Sequence, residues 1–184
     1  MQKENTEFFS WVDSRLRVGE SEVEGRALFA NVNIPAGEFL VVQGGKILSL
    51  EQLDKLDDVE YTYTAFQISK NFYICPAVIA GTLVIDGIFL VNHSCAPNAG
   101  FLDSITLVSM REIQKDEEVC FDYAMCDMEI EGEVPWEDMK CNCGAQECRN
   151  SITGSDWKIK DLQKKYEGYF SPYIQKYLES LRHG

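Results

Sequence analysis

Short apolar runs broken by turn signals occupy residues 11–48. Val12 to Val18 alternates, Arg26 to Val32 is mixed, and Phe39-Leu-Val-Val42 is an apolar run ended by Gly44-Gly45. These read as short strands. Ser49-Leu-Glu-Gln52 has the spacing of a capping box, and Leu50, Leu53 and Leu56 then form one stripe, which predicts a helix over 50–57. Strand character returns over 61–109, with candidates at Tyr63–Ile68, Asn71–Cys75, Ile88–Val91 and Ile105–Met110. A turn at Lys115–Glu118 precedes a further strand, Val119–Tyr123. The acidic stretch 126–138 reads as a mobile connector. Beyond it the period changes. Ile159, Leu162 and Tyr166 fall at helical spacing up to Gly168, and Ser171-Pro172 restarts a helix whose apolar face is Ile174, Tyr177, Leu178 and Leu181. The body is therefore mostly β, built of short strands and small sheets, and the end is a helical tail.

With 184 residues, 45% of them apolar, the chain is one ordinary domain with a real core, or one with a small appendage. No stretch approaches the roughly eighteen apolar residues of a membrane span, and the polar start shows no secretory signal. The net charge of −13 disfavours direct nucleic-acid binding, where phosphates demand Lys and Arg, and favours encounter with a basic partner. Taken alone, that acidity also reads as simple solubility.

Seven cysteines is an odd number, which fits reduced thiols inside a cell better than a closed disulfide framework. Three of them, Cys141, Cys143 and Cys148, lie within eight residues. That spacing suits one tetrahedral zinc, and Cys95 upstream is the candidate fourth ligand. Two histidines exclude a His-rich metal site, and His183 reads as merely tolerated. Cys75, Cys120 and Cys126 read as small apolar residues. Such a metal would pin the tail of the chain against its middle.

Four segments, in order, resemble the SET-domain protein-lysine methyltransferases with a post-SET zinc segment. They are Gly25-Arg-Ala-Leu-Phe-Ala30, Asn92-His-Ser-Cys-Ala-Pro-Asn98, Glu117-Glu-Val-Cys-Phe-Asp-Tyr123, and Cys141 to Cys148 followed by Arg149. The tail from Ile152 to Tyr173 is similar to that of small free-standing SET proteins. The resemblance implies a β-clip-like SET fold over 12–124 with a knot-like crossing, a zinc segment over 137–153 and a helical tail over 156–184. It implies methyl transfer from S-adenosylmethionine to the ε-amine of a lysine in a basic protein segment, histone or other. By the same resemblance Tyr123 is the catalytic side chain and Phe121 shares the lysine channel and sets product multiplicity, with room for di- or trimethylation. Asn92, His93, Arg26, Ala27 and Leu28 hold the cofactor, and Cys95, Cys141, Cys143 and Cys148 hold zinc. Outside the resemblance, Tyr123 and Phe121 read as core residues, and Trp157 and Phe170 as packing or as a cover for the groove. Three positions depart from the family pattern: Ala27, Val42 and Phe89. They keep a rival in view, a catalytically silent zinc-stabilised peptide-binding module. A second rival is a redox or zinc sensor without cofactor. The expected location is intracellular, cytoplasmic or nuclear according to the organism. A homodimer through the tail is one arrangement the pattern leaves open.

Overall fold

Strands of two to five residues carry most of the regular structure in this computed structural model, which describes residues 9–56, 64–129 and 138–183. Among the described residues they form six small sheets. The largest orders Trp11–Val12, Phe39–Val42, Thr106–Ser109 and Ala99–Phe101 as antiparallel neighbours. Leu16–Glu20 pairs with Arg26–Ala30, and Lys46–Ser49 with Phe72–Cys75 and Phe66–Ser69. A hairpin the pattern did not predict joins Ala77–Ile79 to Thr82–Val84. Asn92–His93 runs parallel to Cys120–Phe121, and Met139–Lys140 pairs with Ser151–Ile152. The predicted mostly β architecture holds.

Local chemistry explains where elements begin and end. Ser49 and Gln52 form the capping box in both directions, and the helix runs Leu50–Asp54. Of the predicted range, residue 57 lies outside the described residues, as does Tyr63 of the next strand and most of the acidic stretch, residues 130–137. Two predicted strands differ. Gly87–Leu90 is a 3-10 turn, because Gly87 takes φ +59° and Gln43 Oε1 accepts the Ile88 N–H. Four consecutive apolar residues carry no period that separates strand from helix. The strand Cys120–Phe121 stops before Tyr123, because Asp122 caps a 3-10 turn over Tyr123–Met125 through the Ala124 N–H.

The tail is 3-10 over Asp156–Lys158, then α over Lys160–Lys165 and Pro172–His183. It does not pack by itself. Trp157, Leu162, Tyr166, Phe170, Tyr173, Ile174 and Leu178 share one core with Leu28, Leu40, Leu107, Ile113 and Phe121 of the strands. Two main-chain bonds stitch the layers, Phe101 N–H to Tyr169 carbonyl at 2.9 Å and Ser171 N–H to Met125 carbonyl at 2.8 Å. Trp157 and Phe170 are packing residues, 4% and 5% exposed.

Candidate active site and metal centre

The parallel pairing of Asn92–His93 with Cys120–Phe121 brings two sequence motifs side by side. Asn92 stands opposite Cys120, and His93 opposite Phe121. The chain then turns at Asp122 and presents Tyr123 beside both. The Tyr123 ring is 5.2 Å from that of His93 and 5.2 Å from that of Phe121. Phe121 in turn meets Phe101 at 5.3 Å, and Phe101 meets Phe66 at 6.4 Å. An aromatic floor therefore backs the tyrosine. Burial first, and the Asp127 charge second, push the Tyr123 hydroxyl well above its usual range. It stays a phenol, acting through its lone pairs and its one proton.

His93 is buried and serves the site through its ring. The Tyr123 backbone N–H donates to His93 Nδ1 at 3.2 Å, so the ring proton sits on Nε2, 3.4 Å from Cys95 Sγ. Burial pushes the His93 ring down to about 4, against the raising influence of Asp122. A neutral imidazole thus links the tyrosine to the cysteine cluster.

Cys95, Cys141, Cys143 and Cys148 converge, with all four sulfurs within 4.8 Å of one another. A tetrahedral zinc with bonds of about 2.3 Å sets sulfurs about 3.8 Å apart. Cys95 Sγ and Cys141 Sγ are 3.9 Å apart. The sulfurs also receive backbone N–H donors, as a thiolate cluster requires: Arg149 to Cys95 at 3.4 Å, Cys95 to Cys143 at 3.5 Å and Asn150 to Cys148 at 3.3 Å. Although burial opposes it, such donation from Cys95 and Ala145 lowers the Cys143 thiol to about 7. The donor set fits zinc.

A buried ion-pair network ties this centre to the tyrosine. Arg149, directly after the last cysteine, grips Asp122 with two nitrogens at 2.6 and 2.7 Å and reaches Asp156 with Nε at 3.0 Å. Asp122 also accepts the Tyr166 hydroxyl at 2.8 Å, and Lys165 Nζ donates to the Cys95 carbonyl at 2.8 Å. Asp122 and Arg149 lay inside quoted motifs, but nothing in one chain showed that they pair.

A cleft of about 580 Å³ opens beside the cysteines, walled by Glu20, Glu22, Phe29, Ser94, Glu118 and Gly144 among others. A smaller one of about 60 Å³, reaching Glu24, Asn92 and Tyr123, shares Val23, His93 and Asn142 with it. Asn92, His93, Tyr123 and the four cysteines are thus brought together. Arg26, Ala27 and Leu28 line neither cleft. Ala27 and Leu28 are buried, and the Leu28 carbonyl accepts the Val119 N–H at 2.8 Å. The loop residues just before them, Val23 and Glu24, form the wall instead. The departures Val42 and Phe89 also lie off the clefts, Val42 between Trp11 and Thr106 in the four-stranded sheet and Phe89 against Phe66.

A match to the SET domain family covers residues 25–124. This chain belongs to that family. It is 28% identical over 144 residues to human histone-lysine N-methyltransferase 2B, covering 73% of this chain and 5% of that protein. It is 26% identical over 151 residues to the histone-lysine N-methyltransferase ASHH3 of Arabidopsis thaliana, covering 75% of this chain and 38% of that protein. The SET chain thus spans well under half the length of these curated relatives. The crystal structure of KRYPTONITE in complex with mCHG DNA and SAH superposes with a TM-score of 0.55 at 25% identity, covering 77% of this chain and 29% of that one. No helix among the described residues is long and apolar enough to cross a membrane.

Proposed function

We propose that this SET protein transfers a methyl group from S-adenosylmethionine to the ε-amine of a lysine in a basic protein segment, inside the cell. One observation carries the reading: Tyr123 stands where the Asn92–His93 strand, the aromatic floor and the four-cysteine centre meet. When bound, the cofactor supplies an electrophilic methyl carbon next to a sulfonium. The chain's own task is alignment and delivery of a neutral amine. A free lysine has a pKa of about 10.4, so neutralising it at pH 7 costs about 4.6 kcal/mol. Walls formed by Phe121 and Tyr123 disfavour the ammonium by withholding water. The Tyr123 oxygen would accept weak CH···O contacts from such a methyl and orient the nitrogen. Phe121 offers no hydroxyl to anchor a space-filling water, which supports di- or trimethylation. Asn92 and His93, with Val23 and Glu24 of the cleft wall, would hold the cofactor, and the four cysteines, once they hold zinc, would close the pocket.

The names of the relatives support a histone as the substrate class, and the charge of −13 suits a Lys-rich tail. The same charge speaks against carrying over the DNA of the KRYPTONITE complex. Tritium from a labelled methyl donor, offered with histones and mixed cell proteins, should appear in methyl-lysine after hydrolysis. Cofactor binding with no incorporation up to about pH 9 would establish the silent peptide-binding module instead.

A further inference from the structure

Glu118 is half-buried at the rim of the larger cleft and has no cationic partner among the described residues. Both its oxygens are engaged. Oε2 accepts the Ser21 hydroxyl at 2.8 Å, and Oε1 accepts from Asn92 Nδ2 at 2.9 Å. The same nitrogen lies 3.0 Å from Ser21 Oγ and 3.0 Å from the Glu24 carbonyl. A carboxylate and a main-chain carbonyl only accept, and the Ser21 proton is already given to Glu118. Only an NH₂ satisfies that corner, since a flipped amide would set its oxygen against lone pairs. The amide oxygen of Asn92 is left on the other side, and no donor among the described residues reaches it.

We infer that Glu118 is a positioning residue for the cofactor's amino-acid end: it holds the Asn92 nitrogen so that the amide oxygen is offered to an α-ammonium, and it places an uncompensated negative charge beside that seat. This rests on the S-adenosylmethionine reading above. The recognised chemistry is a primary ammonium, not the adenosine, and the two separate experimentally. S-adenosylhomocysteine carries the ammonium, whereas 5′-methylthioadenosine shares the nucleoside and thioether and lacks it.

The test is calorimetric titration of the full zinc-loaded chain with both compounds, for the parent, Glu118→Gln, Glu118→Ala and Asn92→Ala. Glu118→Gln keeps the shape and removes the charge, so it carries the test if the alanine variant does not fold. S-adenosylhomocysteine should bind about tenfold more weakly to Glu118→Gln, and 5′-methylthioadenosine should be unaffected within about twofold. In the double variant, Glu118→Gln in the Asn92→Ala background, the Glu118→Gln loss should shrink, because the part that acts through the Asn92 amide is gone and only the direct pull of the charge remains. Equal losses for both compounds, or an undiminished loss in that background, overturns the inference. If the parent itself binds no S-adenosylhomocysteine, the cofactor reading falls and this inference with it, a result recognisable because the parent fails rather than the variant.

Discussion

Tyr123 and Asp127 sit at the two ends of one tight turn, the Asp127 N–H donating to the Tyr123 carbonyl at 2.9 Å, and burial pushes both acids the same way. For Tyr123 that means a phenol at every physiological pH. Tyr123→Phe should therefore lower methyl transfer about a hundredfold or more while leaving S-adenosylhomocysteine affinity unchanged. Comparable loss of both would make Tyr123 a binding residue only. For Asp127, burial raises the carboxyl from its ordinary 3.8 to about 7, against lowering hydrogen bonds from Cys126 and the Gln67 backbone. Here the native state holds the proton more tightly than the unfolded chain. Stability from this group is present below about pH 4, falls as pH rises through about 7, and is lost above it. Asp127→Asn should raise the melting temperature at pH 8 and barely change it at pH 4. Equal shifts at both values would show that the charge is not what matters. Tyr123 was legible in the sequence because it closes a motif. Asp127 was not, since an aspartate in an acidic stretch reads as solvated until its burial is seen.

Short elements depend on neighbours distant in the chain, and here the pattern was only partly legible. The capping box at Ser49 and Gln52 is a local bond between residues three apart, so its spacing announces it. Ile88–Val91 and Tyr123 were misassigned because their fates depend on Gln43 and on the Asp122 cap. The junction of strand and tail rests on Arg149, whose guanidinium is mostly covered and whose partner Asp122 is fully buried. Arg149→Ala strands that carboxylate and should cost about 3–5 kcal/mol in urea unfolding. A loss no larger than that of an exposed ion pair would refute the role. Close approach matters equally at Gly100. A methyl group there would meet the Tyr169 Cβ at 2.7 Å and the Met110 sulfur at 3.0 Å. Gly100→Ala should destabilise by about 1–3 kcal/mol, seen as a lowered denaturation midpoint. An unchanged midpoint would mean that the tail docks more loosely than this contact requires.

For the molecule as a whole, the cysteine centre and the tail close one body. Cys95 belongs to the Asn92 segment, the other three cysteines to the far side, and from the tail Lys165 donates to the Cys95 carbonyl while Tyr166 donates to Asp122. Stripping zinc with a chelator should release metal and lower the melting temperature together, and zinc should restore it. A melting curve indifferent to the chelator would remove the metal from the account. Most of the apolar stripe of the last helix, Ile174, Tyr177 and Leu178, packs on the chain's own core, while Leu181 at its end is 62% exposed. The sequence by itself determined the class of short strands with a helical end and carried the resemblance to the family, and it singled out the tyrosine, the asparagine–histidine pair and the four thiols that the structure brings together. Each of these is written in local spacing or a contiguous motif. Only the tertiary structure decided that Asp122 pairs with Arg149, that His93 bridges tyrosine and thiolate, that Val23 and Glu24 rather than Arg26 to Leu28 wall the cleft, and that Glu118 orients Asn92. Those are contacts between residues far apart in the chain. Their energy comes from burial and from the exclusion of water, which no period or spacing records.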